Sequence, residues 1–171
     1  MVAGFCSSTL RVTYMELRDP PPSPVYARSE RIARERLALG EYLALYRSVG
    51  ESVGWDQRLR MPEAQLQALL DSEYLNVYVL RNAAGRALGF CELDRTMFPE
   101  IELKNFGLMR EAQGGGLGSW LLSVAVYEEW KSLPSRIWLH TDTWDHPAAM
   151  RVYDRAGFRV YAIRDEASGP L

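Results

Sequence analysis

Gly114, Gly115, Gly116 and Gly118 crowd five positions between a strand-like segment over 100–109 (E-I-E-L-K-N-F-G-L-M) and a richly apolar helical segment over 117–131. Glycines at such a junction adopt positive φ and let the backbone approach a neighbour or a ligand closely. The first N–H groups of the helix have no internal partner, and the helix dipole makes that end partly positive. The junction therefore imposes a strand-turn-helix unit and is suited to hold an anion, phosphate above all. The loop Q-G-G-G-L-G contains no Lys or Arg, so the backbone would do the holding. A tight turn without a ligand is the plain alternative.

The patterns on either side extend this unit into a mixed sheet. Alternation over 9–18 predicts a first strand, and the D-P-P-P-S-P run of 19–24 stops it. From about Ser29 the pattern reads as helical, with Ile32, Leu37, Leu39, Tyr42, Leu43, Leu45 and Tyr46 on one side and Gly40 as an interruption. On that reading Arg28, Arg31, Arg34 and Arg36 with Glu30 and Glu35 form a solvated helix face. Gly50 to Trp55 is a loop, and Pro62 opens a second helix. Strands follow at 76–81 and 86–93, turned by N-A-A-G, then at 100–109, 136–141 and 158–164, with a short helix from about Pro147. The expected order is β-α-α-β-β-β-α-β-α-β, an α/β or α+β architecture with a central mixed sheet flanked by helices.

Composition narrows the class. At 171 residues the chain suits one domain, 1–171, and is short for two. Twenty Lys plus Arg against 22 Asp plus Glu gives a net charge of -2, which disfavours nucleic acid. No stretch approaches the roughly 20 apolar residues that cross a bilayer, and the first ten residues lack the charged and apolar regions of a secretory signal. Cys6 and Cys91 are too few for a disulfide framework. The expectation is a cytoplasmic protein without membrane or nucleic-acid partners.

Other phosphate loops fit poorly. A P-loop would require G-K-[ST] where Leu117-Gly118-Ser119 stands, and a dinucleotide fold would place its glycines after the first strand. Gln113, Gly116 and Gly118 instead match [Q/R]-x-x-G-x-[G/A], the acetyl-CoA loop of the Gcn5-related N-acetyltransferase superfamily. Downstream, H-P-A-A-M-R-V-Y-D-R-A-G-F over 146–158 resembles that superfamily's N-x-x-A-x-x-x-Y-x-x-x-G-F element, with His146 where Asn is common. The resemblance covers residues 74 to 165, with 1 to 73 matching in element order only, and it implies that the central mixed sheet is mostly antiparallel.

The resemblance implies an acetyl-CoA-dependent transferase acting directly on a small-molecule or peptide amine, with a non-catalytic coenzyme A-binding module as the alternative and a homodimer as a possible assembly. It places the pyrophosphate on Gly114, Gly115, Gly116, Leu117, Gly118 and Ser119 beside Gln113. Superfamily members often carry Arg or Lys in that loop where Gly115 stands here. Phe106, Leu108, Met109 and Arg110 would run along the pantetheine, with His146 and Tyr153 also contacting the cofactor. The Leu108 N–H is the candidate to polarise the acetyl oxygen, a role in which one donor is typically worth about 2.7 to 4 kcal/mol.

Tyr153 is the candidate acid, since a phenol stays protonated at neutral pH and can donate to a departing thiolate. Its alternative is a core ring packed on Phe158. For the base, Glu102 stands eleven positions before Gln113 and resembles the glutamate of the histone-acetylating branch. Period-two alternation would put it on one face with Lys104 and Phe106. Glu92 and an ordered water are the other candidates. Trp55, Tyr42 and Tyr46 either line an amine pocket, with Asp56 or Glu51 attracting a cation, or belong to the core stripe. His140, Asp142, Asp145 and His146 contain metal-ligand chemistry, yet a strand end and a helix cap explain them more simply, so no metal is expected. Cys91, in an apolar strand, reads as an inert core residue.

Overall fold

The computed structural model describes residues 9–25 and 28–167; Cys6 and most of the N-terminal stretch considered above lie outside them. The chain opens with β1 (Thr9–Leu17), β2 (Arg31–Arg34), α1 (Leu39–Gly50), a 3₁₀ turn (Glu51–Val53), α2 (Gln57–Arg60) and α3 (Glu63–Asp71). It continues through β3 (Leu75–Arg81), β4 (Ala87–Asp94), β5 (Glu100–Leu108) and a second 3₁₀ turn (Arg110–Ala112). Helix α4 (Leu117–Trp130), β6 (Arg136–Asp142), α5 (Ala149–Arg155) and β7 (Arg159–Ala167) complete it.

The strands form one seven-stranded sheet in the order β2-β3-β4-β5-β6-β1-β7. Every pairing is antiparallel except that of β5 with β6. This is the mixed sheet expected from the element order, mostly antiparallel as the resemblance implies. One face carries α4 and α5 over a core that includes Cys91, Leu93, Ile101, Leu121, Leu122, Ile137 and Leu139. The other carries α1 and α3 over Val77, Val79 and Phe90. Among the described residues, no helix is long and apolar enough to cross a membrane.

The segment before α1 departs from expectation. Residues 31–34 are a strand, and helix begins only at Leu39, so Gly40 interrupts nothing. The reason is the open edge of β3, which captures the short R-I-A-R segment with Ile32 opposite Leu80 and Arg34 opposite Tyr78. Arginines on this outer strand also make it a poor template for a further strand. The supposed solvated helix face therefore does not exist. Arg36 donates to the Asp71 carbonyl, and Glu35 receives the guanidinium of Arg81 from β3.

Two irregularities in β5 position the site. Glu92 faces Asn105 while Leu93 faces Leu103, so Lys104 is an extra residue and β5 bulges there. Beyond the bulge the side-chain parity flips. In addition, β5 and β6 pair only from Glu100↔Arg136 to Glu102↔Trp138. Past Glu102 the two parallel strands part, leaving a wedge-shaped gap between their C-terminal ends.

Under α4, a buried carboxylate ties the helix to the sheet. Glu129 accepts from Asn76 Nδ2 at 2.6 Å and from the Tyr78 hydroxyl at 2.8 Å, and it pairs with Arg95. Truncating it leaves two buried donors and a cation without their acceptor. Glu129→Ala is expected to lower stability by about 3 to 5 kcal/mol, read as a reduced urea midpoint at unchanged m-value.

Candidate active site

At the end of β5 the chain turns through Arg110–Ala112 and enters α4 by way of the glycines. Gly114 and Gly116 hold φ of 85° and 76°, values that a side chain would strain by about 1 to 2 kcal/mol. Gly116 is the N-cap, and no side chain caps the helix. The Trp120 N–H returns to the Gly116 carbonyl at 3.2 Å, so the amides of Leu117, Gly118 and Ser119 precede the first intrahelical bond. A Cβ built on Gly114 or Gly115 meets nothing within 4 Å, and one on Gly116 meets only Arg28 at 3.8 Å. The result is an open cradle of backbone donors with the chemistry and room to take a phosphate group.

The gap between β5 and β6 continues this cradle. The Met109 N–H goes to the Leu88 carbonyl at 2.7 Å, which places Gly89 and Leu108 as a non-hydrogen-bonded pair. By the alternation of an antiparallel ladder, the amides of Leu108 and Phe106 point away from β4 and into the gap. Gln113 Nε2 donates to the Leu108 carbonyl at 3.1 Å, fixing the strand end to the loop. Gly118 brings α4 close: a Cβ there would sit 3.6 Å from both Leu108 Cδ1 and Phe106 Cζ.

Tyr153 projects from α5 to the same place. Its ring lies 5.9 Å from that of Phe106 and 6.2 Å from that of Phe158, so the core packing and the approach to the gap coexist. Gly157, at φ 99°, ends α5: its N–H meets the Asp154 carbonyl and the Phe158 N–H meets the Tyr153 carbonyl, the paired bonds of a Schellman motif. Burial pushes the Tyr153 phenol well above its ordinary pKa, and the Asp145 charge adds to this. Among the described residues its hydroxyl has no hydrogen-bond partner.

The predicted residues thus divide. Phe106, Leu108, Gln113, the loop from Gly114 to Ser119 and Tyr153 come together around the gap and its mouth. Met109 does not join them, because its amide faces Leu88 and its side chain packs with the α1/α3 core. Arg110 stands exposed on the turn. His146 lies in the β6-α5 turn and accepts the Ala148 N–H on Nδ1. Asp145 bonds Thr141 and the Asp142 amide, so it braces the turn and is not the N-cap.

Glu102 does not share a face with Phe106. The bulge at Lys104 overturns the period-two expectation: Phe106 packs on the α4 side, whereas Glu102 projects opposite the buried Ile101 and Leu103. There it pairs with Lys104 at 2.7 Å and with His140 Nδ1 at 3.5 Å, beside the point where the strands part. Glu92 is fully buried, with one oxygen on the Tyr42 hydroxyl at 2.6 Å and the other on the Arg58 guanidinium. Tyr42 and Tyr46 are core residues that stack on each other and meet Trp55 and Phe90 in tilted or edge-on contacts, at ring separations of 5.6 to 6.3 Å. Asp56 pairs with Arg60, and Glu51 is exposed.

Two residues of this region escaped the sequence reading. Arg58 pins α2 to β4 through Glu92; a carboxylate inside the apolar run G-F-C-E-L was the signal that a buried cation must exist somewhere. Arg28 reaches the glycine loop from far upstream, with no local signal at all.

The profile of the Acetyltransferase (GNAT) family matches residues 25–158, most of the chain and all of the cradle and gap. The chain belongs to that family. Acetyl-CoA is the donor typical of GNAT proteins. The fold is shared with a GCN5-related N-acetyltransferase from Sphaerobacter thermophilus, at TM-score 0.69 and 19% identity over 95% of this chain and 53% of that one. It is shared likewise with a tandem GNAT protein from the clavulanic acid biosynthesis pathway, at 0.63 and 20% over 96% and 55%. The ribosomal-protein-S18-alanine N-acetyltransferase of Escherichia coli gives 0.58 and 19% over 75% and 76%. This GNAT chain therefore spans about half of the first two. No curated protein gives a significant match.

The Glu102–His140 pair sets a pH dependence. The Glu102 contact raises His140 above its ordinary 6.5 against the opposing effect of burial. Burial pushes Glu102 up, but His140 and Lys104 outweigh it and hold the carboxyl below its ordinary 4.5. The raised histidine adds stability that is complete below its unfolded pKa and is lost as pH rises through the folded value. The lowered carboxyl adds stability that is complete above its unfolded pKa and is lost on acidification through its folded value. His140→Asn is expected to destabilise by roughly 0.5 kcal/mol near pH 5.5, after solvent screening, with the deficit shrinking toward pH 9; urea unfolding at both pH values measures it.

Proposed function

We propose that this GNAT protein moves an acetyl group from acetyl-CoA directly to an amine in a ternary complex. The observation that carries the reading is a pair of backbone-donor groups around one gap: the amides of the glycine loop at its mouth and those of Phe106 and Leu108 within it. Together they suit an elongated ligand with an anionic head and a carbonyl at its tail. When bound, acetyl-CoA supplies an acetyl group activated as a thioester.

The chain's own contribution is positional and electrostatic. Amides from Gly114 to Ser119 would bind the pyrophosphate by hydrogen bonds and by the α4 dipole. The gap between β5 and β6 would align the pantetheine arm, because strand backbone left unpaired by β6 is free to pair with it. Phe106 and Leu108 N–H groups would polarise the thioester oxygen from fixed positions, with Gln113 holding the strand end in place. Tyr153 would hold a proton at the departing sulfur. The phenol stays protonated at neutral pH and can donate a hydrogen bond to the sulfur as charge develops on it, and the rings of Phe106 and Phe158 pack beside it.

On the opposite face, Glu102 and His140 form the proposed proton-accepting pair for the incoming amine, His140 taking the proton and Glu102 stabilising the imidazolium. Glu92 is set aside, since Tyr42 and Arg58 occupy both its oxygens. The acceptor is a small-molecule or peptide amine entering from the α1/α2 side.

An acceptor screen with acetyl-CoA, read by thiol release, supplies the working substrate. Against it, Tyr153→Phe is expected to lower kcat about a hundredfold or more while leaving coenzyme affinity unchanged. Equal turnover by the variant would remove Tyr153 from the chemistry, and an absence of turnover by wild type with every amine would favour a binding module over an enzyme.

A further inference from the structure

The loop from Gln113 to Ser119 brings no cationic side chain to a site built for an anion. The fold brings one from elsewhere. Trp120, in the first turn of α4, donates its indole N–H to the Val25 carbonyl at 2.6 Å and so ties Val25 to the start of the helix. Arg28 lies between Val25 and β2 in sequence. Its guanidinium lies 5.3 Å from the centre of the Trp120 ring and within 3.8 Å of the point where a Cβ of Gly116 would be.

The charge placement is unusual. The N-terminal end of a helix is already partly positive, and a cation beside it is unfavourable unless an anion lies between. Arg28 is exposed and, among the described residues, forms no ion pair. Glu111, just before the glycine loop, pairs with Arg86, and Glu30 accepts from Ser29. Stacking on Trp120 restricts where the guanidinium can go, and the glycine at 116 leaves nothing in its way. A guanidinium and a row of amides facing one small opening match a diphosphate, whose oxygens can take both at once.

We propose that Arg28 supplies the cation missing from the glycine loop and pairs with the pyrophosphate of the coenzyme, a role that rests on the coenzyme site proposed above.

Calorimetric titration of the full chain with CoA and with 3′-dephospho-CoA tests this in wild type, Arg28→Ala and Arg28→Lys. The alanine variant is expected to bind both forms about fivefold to twentyfold more weakly, with a shallower dependence of affinity on salt. The lysine variant recovers part of the loss. The ligand-free melting temperature of Arg28→Ala shifts by less than about 2 °C, as befits a residue whose partner is the ligand. Unchanged affinity overturns the proposal, and so does a large drop in the ligand-free melting temperature, which would make Arg28 a clasp on Trp120. A loss confined to CoA overturns the pyrophosphate assignment in favour of the 3′-phosphate. Failure of wild type to bind either form overturns the coenzyme reading itself, and this inference with it.

Discussion

The parting of β5 from β6 is the constraint on which the site depends. Parallel strands in one sheet normally run together, their amides satisfied by each other. Here the ladder ends at Glu102↔Trp138, and β5 goes on for six residues held by β4 alone. Every second amide on that stretch faces open space. A fold does not leave backbone donors unpaired in this way without water or a ligand to meet them. The bulge at Lys104, the close approach permitted by Gly118 and the Gln113 bond to Leu108 all shape the same stretch.

The rest of the molecule holds that gap open. On one side α4 is fixed to the sheet by Leu121, Leu122 and the Glu129 network, so its N-terminus stays aimed at the strand ends. On the other, the Glu92–Arg58 pair and the ring cluster of Tyr42, Tyr46, Trp55 and Phe90 seat α1 and α2 against β4. A buried ion pair is a poor source of net stability but a strict one of geometry, because breaking it strands a charge. The two faces of β5 thereby present different surroundings, Tyr153 on one and Glu102 with His140 on the other, and the proposed function gives the first to the cofactor and the second to the acceptor.

Much of this was legible in the sequence, because the signals were local. Glycines at 114, 116 and 118 mark the loop, Gly157-Phe158 closes the helix that carries Tyr153, and alternation marks β3, β4 and β6. What escaped was set by tertiary partners. Strand β2 has no strong pattern of its own; the edge of β3 makes it a strand. The bulge at Lys104 arises from the register against β4 and moves Glu102 to the other face from Phe106, which no period-two argument foresees. Arg58 and Arg28 lie far in sequence from the groups they approach, so only the fold joins them to the site.

The central claim is that the amides of the glycine loop and of Phe106 and Leu108 form one binding surface. Amide-resolved NMR during an acetyl-CoA titration tests it most directly. The account predicts that the N–H resonances of Gly114 to Ser119, Phe106 and Leu108 shift together and saturate with a single affinity, while those of β2, β3 and α3 stay in place. Saturation that leaves the Phe106 and Leu108 amides unmoved, or shifts concentrated elsewhere on the sheet, would contradict it.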